Sequence, residues 1–133
     1  MEQSKIQFYK PILKSLEFVE NEINAQINSS FDLKINIANK YKKNDNDNTA
    51  IVVLDVKIGE KGNESPFYIN IVYSANFRWD NEIINPDDFL NINAPALLYS
   101  YIRPIISTLM ANTKYNRLDL PFMDFSKVVK NKM

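Results

Sequence analysis

The sequence predicts an α+β protein: a four-stranded antiparallel sheet followed by a long C-terminal helix and a short terminal helix. Two patterns and their order carry this. The run FYINIVYSANFRW puts Phe67, Ile69, Ile71, Tyr73, Ala75, Phe77 and Trp79 on one face and Tyr68, Asn70, Val72, Ser74, Asn76 and Arg78 on the other, the two-residue period of a strand. The run INAPALLYSYIRPIISTLM, Ile92 to Met110, instead spreads large side chains over well over half of a helical wheel. Strand patterns come first and helical patterns follow, which is the order of α+β folds rather than of alternating βαβ units. At 133 residues the chain has the length of one domain, expected to span 1–133, and a chain of this size buries about two thirds of its unfolded surface.

The first strand is expected in PILKSLEFVENE, whose alternation is imperfect. The following INAQINSS is too long for a tight hairpin and predicts a crossover over one end of the sheet. FDLKINIANKYKK then alternates through Phe31, Leu33, Ile35 and Ile37 and meets NDNDN, whose side chains favour a turn by bonding to nearby backbone. TAIVVLDVKIGE places Ala50, Val52, Leu54, Val56 and Ile58 on one face, and GEKGNES, with both glycines of the chain, joins it to the strand already described. NPDDFL reads as a short helical turn with Asn85 as cap and Pro86 in first position. In the long helix Asn93 is the expected N-cap, with Pro95 in the first turn. Pro104 has no N–H to offer the Ser100 carbonyl, so a bend is expected near Ser100. DFSKVV suggests the last short helix.

Composition removes many functions. Sixteen basic and 16 acidic residues cancel, so no long-range field draws the chain to nucleic acid or to an anionic membrane. The absence of Cys and His excludes thiolate nucleophiles, imidazole bases and Cys/His zinc sites. Gly59 and Gly62 sit in a hairpin, and no Gly-Lys-Ser or Gly-Lys-Thr follows them, so no nucleotide cofactor is expected. NDNDNTA has carboxylates at calcium-loop spacing but carries Ala50 where Gly is required and Val56 where Glu is required, so no metal is expected either. Asp87 and Asp88 at a helix start suit the helix dipole better than acid–base chemistry. No catalytic residue is assigned, and the chain is not expected to be an enzyme. The helical run is no membrane span: Arg103 at its midpoint would cost about 2.5–3.5 kcal/mol on insertion. The start, MEQSKIQFYKPILKSL, has no apolar run of signal-peptide length, so a cytoplasmic location is expected.

A helix so widely apolar exceeds what one sheet face covers, and a second copy of the chain is the simplest partner for the excess. Ser100, Ser107 and Ala111 form a narrow small-residue side on which two helices could approach closely, with Arg103 there to pair with an acid or a carbonyl. The candidates for an apolar groove are Ile23, Ile27 and Phe31 in the crossover, Phe77 and Trp79 at the end of the strongest strand, Phe89 after the NPDD turn, and Phe122, Met123 and Phe125 in LPFMDF. Core packing is the competing role for the aromatic residues among them.

The C-terminal third resembles the SecB-type export chaperones, in which a Pro-x-hydrophobic-hydrophobic turn opens a helix containing Tyr-x-Arg and is followed by a small-polar run and a hydrophobic-x-hydrophobic-x-Pro-x-x-Phe segment. The matching residues are Pro95, Leu97, Leu98, Tyr101, Arg103, Ser107, Leu118, Leu120, Pro121 and Phe125. The resemblance implies a homotetramer, two dimers joined through their long helices, that holds unfolded polypeptides or preproteins in apolar grooves without ATP. Export chaperones end in an acidic tail that contacts the SecA motor. This chain ends in KVVKNKM, short and basic, so SecA is the partner the resemblance carries least well. SecB-like proteins also serve single clients such as antitoxins, on mobile elements among other settings. The second reading is therefore an interaction or inhibitor module that grips one dedicated protein partner.

Overall fold

The computed structural model describes residues 6–22, 34–44, 46–62, 65–115, 120–121, 123–127 and 130–132. Four long strands form where the alternation places them: β2 (Ile12–Glu20), β3 (Ile35–Asn44), β4 (Thr49–Gly59) and β5 (Phe67–Trp79). Two three-residue strands join them, β1 (Ile6–Phe8) and β6 (Lys130–Lys132), so the sheet has six strands where the sequence pattern predicts four. Segments that short carry no periodicity to read, and Pro11, which lacks an N–H, stands where β1 gives way to β2.

The order is β1-β5-β4-β3-β6, with β2 also paired to β5. β1 and β2 lie end to end along one edge of β5, meeting Phe77–Trp79 and Phe67–Ser74 respectively. All pairings are antiparallel except β3 with β6. β2 and β3 thus occupy opposite sides of the β4–β5 pair, as a crossover requires. The crossover itself, with Ile23, Ile27 and Phe31, lies outside the described residues.

The imperfect alternation of β2 has a structural cause. Leu13 faces Tyr73 and Leu16 faces Ile71 across the ladder, with a register shift between Leu13 and Ser15. This bulge at Lys14 returns two leucines three positions apart to the same face. The turns match their residues. Asn48 takes φ 54° in the β3–β4 hairpin, and Gly59 takes φ 75° at the end of β4. A Cβ on Gly59 would lie 2.3 Å from the Phe67 carbonyl oxygen, so the position excludes other residues on both grounds.

Helical structure begins at Pro86. One turn of α1 (Pro86–Asp88) passes into a π-helical turn (Phe89–Asn93) and then α2 (Ala94–Ala111). Neither expected cap forms. Asn93 is already in helical conformation, because the π turn runs unbroken into α2. Asn85 turns its amide to Asp88 Oδ2, 3.0 Å away, and makes no side-chain bond to the backbone. α2 continues through Pro104. Ser100 and Pro104 both lie on the exposed side, where water can reach the carbonyl that Pro104 leaves without a partner. The predicted last helix is a single 3-10 turn, Phe125–Lys127.

The core lies between one sheet face and α2. Val52, Leu54, Val56 and Ile58 of β4 and Ile69, Ile71 and Phe77 of β5 meet Leu98, Ile102, Ile106 and Met110, all buried. At one end, the Tyr115 ring packs at a tilt against Phe67, 4.9 Å away, and its hydroxyl donates to the Pro66 carbonyl at 3.0 Å.

Candidate functional site

The helix covers β4 and β5 but not the edge formed by β1 and β2. Cross-strand partners share a face, so Phe8 opposite Phe77, Leu13 opposite Tyr73 and Leu16 opposite Ile71 all point to the side that bears the helix. They nonetheless remain 46%, 41% and 40% exposed. From the other side α2 contributes Tyr101, 39% exposed, with its ring 6.3 Å from that of Tyr73. Phe8 lies 6.1 Å from Phe77, which in turn contacts Phe89 edge-on at 5.5 Å. The result is an apolar groove with the β1/β2 edge as one wall, Tyr101 as the other and Tyr73 as floor, while Phe77, fully buried, packs against Phe8. β2 is an edge strand, with no strand pairing on its other side among the described residues.

A polar cluster fixes the helix entrance against β3. Asp87 accepts a hydrogen bond from the Tyr41 hydroxyl at 2.8 Å and from Lys43 Nζ at 3.1 Å. Asn91 donates to the Tyr41 oxygen at 3.4 Å, and Asn39 Nδ2 donates to the Leu90 carbonyl at 3.0 Å. Burial, reinforced by the hydrogen bond to the Asp87 carboxylate, raises the Tyr41 phenol above its ordinary value of 10.0. Asp87 therefore ties the helix to the sheet, a role beyond the dipole effect its position suggests. Asn39 Oδ1 is buried with no partner among the described residues.

The predicted site residues divide into groups. Phe77, Trp79 and Phe125 are buried by the chain's own side chains, while Phe89 and Met123 are partly buried against the core. Phe122 lies outside the described residues. The groove walls are therefore mainly residues not among the sequence's groove candidates: Phe8, Leu13 and Leu16, with Tyr101, which entered only through the family likeness. The signal available was the apolar content of an edge strand with broken alternation. Of the small-residue side, Ser100, Arg103 and Ala111 are exposed and Ser107 is half-buried. That side shares a 140 Å³ hollow with the C-terminal segment, lined by Tyr99, Ser100, Arg103, Met123 and Phe125 among others. Tyr99 is tethered there by its hydroxyl, which donates to the Pro121 carbonyl at 2.7 Å, and by its ring, 5.6 Å from Phe125.

The helical wheel overstates the helix's uncovered apolar surface. Leu98, Tyr99, Ile102, Ile106 and Met110 are buried within the single chain, because the C-terminal segment adds a second covering surface beside the sheet. What α2 leaves open is mostly small or polar, with Tyr101 as its exposed large apolar residue. No helix among the described residues is long and apolar enough to cross a membrane.

These features define an α+β protein, a largely antiparallel sheet with one long helix across it and an apolar groove open to solvent along one sheet edge. The chain belongs to the SecB family: the model of preprotein translocase subunit SecB matches residues 2–133. An uncharacterized protein of Methanocaldococcus jannaschii is 29% identical over 130 residues, covering 95% of this chain and 83% of that protein. Among solved structures, the Mycobacterium tuberculosis Rv1957 SecB-like chaperone, in complex with a ChAD peptide from the Rv1956 HigA1 antitoxin, superposes with a TM-score of 0.72. The match covers 90% of this chain and 91% of that one at 11% identity, a likeness of fold.

Proposed function

We propose that the protein is an ATP-independent holdase that binds unfolded polypeptide in the groove between its β1/β2 edge and α2. The observation that carries this is the exposure of Phe8, Leu13, Leu16 and Tyr101 along one continuous strip. Such a surface is costly to leave in water and gains by covering apolar segments of many sequences. Membership of the SecB family supports the reading. Cytoplasmic work on preproteins, without enzymatic turnover or a cofactor, belongs to the same proposal.

Two self-complementary surfaces support assembly into a homotetramer. The edge of β2 can pair antiparallel with the β2 edge of a second copy, extending the sheet across a two-fold axis. The small-residue side of α2, with Ser100, Arg103, Ser107 and Ala111, can meet its counterpart in another pair. Two different isologous contacts on one chain give a dimer of dimers.

A dedicated client is the second reading, favoured by the antitoxin peptide bound to the structurally similar Mycobacterium tuberculosis chaperone. One experiment separates the two: light scattering of an aggregating, unrelated unfolded protein, without ATP. Suppression at near-stoichiometric chaperone supports the general holdase. No suppression, together with a stoichiometric complex in pull-downs, supports the single-client module. A monomer that ignores unfolded chains sinks the holdase reading.

A further inference from the structure

The opposite face of the sheet carries a second apolar surface that the holdase reading does not use. The side chains of Lys42, Ile51 and Asn76 form one row across β3, β4 and β5, and those of Lys40, Val53, Ser74 and Ile12 form the next row, extending onto β2. Both rows face away from α2, since Ala50, Val52, Tyr73 and Ala75, their immediate neighbours in the chain, are in the core. On this face Tyr9, Ile12 and Ile51 are 61%, 57% and 48% exposed. Tyr9 is pinned there by its backbone N–H, which donates to the Asn76 carbonyl at 3.0 Å. Around it opens a pocket of about 420 Å³, lined by Tyr9, Lys42, Asn44, Thr49, Ile51 and Asn76 among others. That volume falls within the range of about 300–1,000 Å³ typical of ligand sites.

Charge on this face is divided. At one end the acids are matched: Asp55 with Lys57 at 3.2 Å and Glu17 with Lys61 at 3.0 Å. At the pocket end Lys40, Lys42 and Arg78 are exposed and pair with no acid among the described residues. Asp47, in the nearby turn, is engaged by the Thr49 hydroxyl at 2.6 Å. An apolar pocket bordered by unmatched cations complements an apolar side chain flanked by carboxylates.

We propose that this outer pocket binds a short acidic peptide segment of a partner protein, inserting an aliphatic or aromatic side chain between Tyr9 and Ile51 while its carboxylates meet Lys40, Lys42 and Arg78. The site lies across the sheet from the groove, so partner and unfolded client can be held at once. The test uses the full chain and a fluorescein-labelled 12-residue peptide alternating Glu with Leu and Phe, read by anisotropy, with a Lys-for-Glu peptide as control. The acidic peptide should bind at least tenfold more tightly than the basic one and weaken as salt is raised. Lys40→Glu with Lys42→Glu, and separately Ile51→Ser, should each weaken it at least tenfold while leaving capture of an unfolded protein within twofold. Leu13→Ser with Leu16→Ser should leave peptide binding within twofold and weaken capture of the unfolded protein about 7- to 50-fold, so the two sites fail independently. The proposal is overturned if neither peptide binds or if acidic-peptide binding follows the groove variant. A fall in oligomeric mass for Ile51→Ser, which would make the pocket a contact between copies, or binding of anionic vesicles in place of the peptide, also overturns it.

Discussion

Replacing Leu13 and Leu16 together by Ser tests the groove most directly. Each leucine is about two-fifths exposed. Full burial of a large apolar side chain is worth about 1.5–3 kcal/mol, so a client that covers the exposed part gains about 0.6–1.2 kcal/mol from each. The pair then contributes about 1.2–2.4 kcal/mol, a weakening of about 7- to 50-fold when both are lost. The same change removes the already buried part of each side chain and costs the fold about 2–4 kcal/mol, tolerable for a domain of ordinary stability. Binding is measured by anisotropy of a labelled unfolded polypeptide, with circular dichroism and urea titration on the same samples. Tyr101→Ser, on the opposite wall, provides an independent perturbation and should weaken binding in the same direction. A folded Leu13→Ser/Leu16→Ser protein and a folded Tyr101→Ser protein that both bind as the parent does would refute the groove.

Gly59→Ala should lower stability by about 1–3 kcal/mol from the positive φ alone, with more from the clash against the Phe67 carbonyl, seen as a lower urea midpoint at unchanged slope. Asn39→Ala removes the donor to the Leu90 carbonyl, a cost of about 1–3 kcal/mol, but also removes the orphaned Oδ1, so the net loss in the same titration is expected to fall below that range's upper end. Ser100→Glu places charge on the exposed side of α2 and should reduce the mass measured by light scattering while the far-UV spectrum stays unchanged; an unaltered mass would remove that side from the assembly. Tyr41, Tyr99 and Tyr115 all have their phenols raised above the ordinary 10.0, mainly by burial. A raised folded value favours the neutral form, so the stability it adds is complete below pH 10.0 and is lost as pH climbs through the higher folded values. Urea midpoints should therefore fall on the alkaline side of that point, and less steeply in Tyr41→Phe.

The sequence alone determined which residues of β4 and β5 face the core, because a strand's two-residue period ties each side chain to a face and both hairpin turns carry residues suited to positive φ. It also carried the family likeness in the C-terminal third, where Pro95, Tyr101 and Arg103 keep their spacing within one helix. The hairpin turns joined β3 to β4 and β4 to β5, as observed, but local pattern could not say which strand β2 pairs with. Only the tertiary structure set β2 beside β5, and its bulge at Lys14 is what directs Leu13 and Leu16 into the groove. The exposed stripe of α2 was equally hidden, since Tyr99 is covered by Pro121 and Phe125 from a segment more than twenty positions along the chain. The two failed caps have the same origin: Asn93 and Asn85 have cap-type side chains, but an unbroken helical path and the neighbouring Asp88 give them other geometries. Periodicity reports which side of an element is oily. Whether that side is covered depends on residues distant in sequence, and the groove exists because α2 reaches β4 and β5 and stops short of the edge.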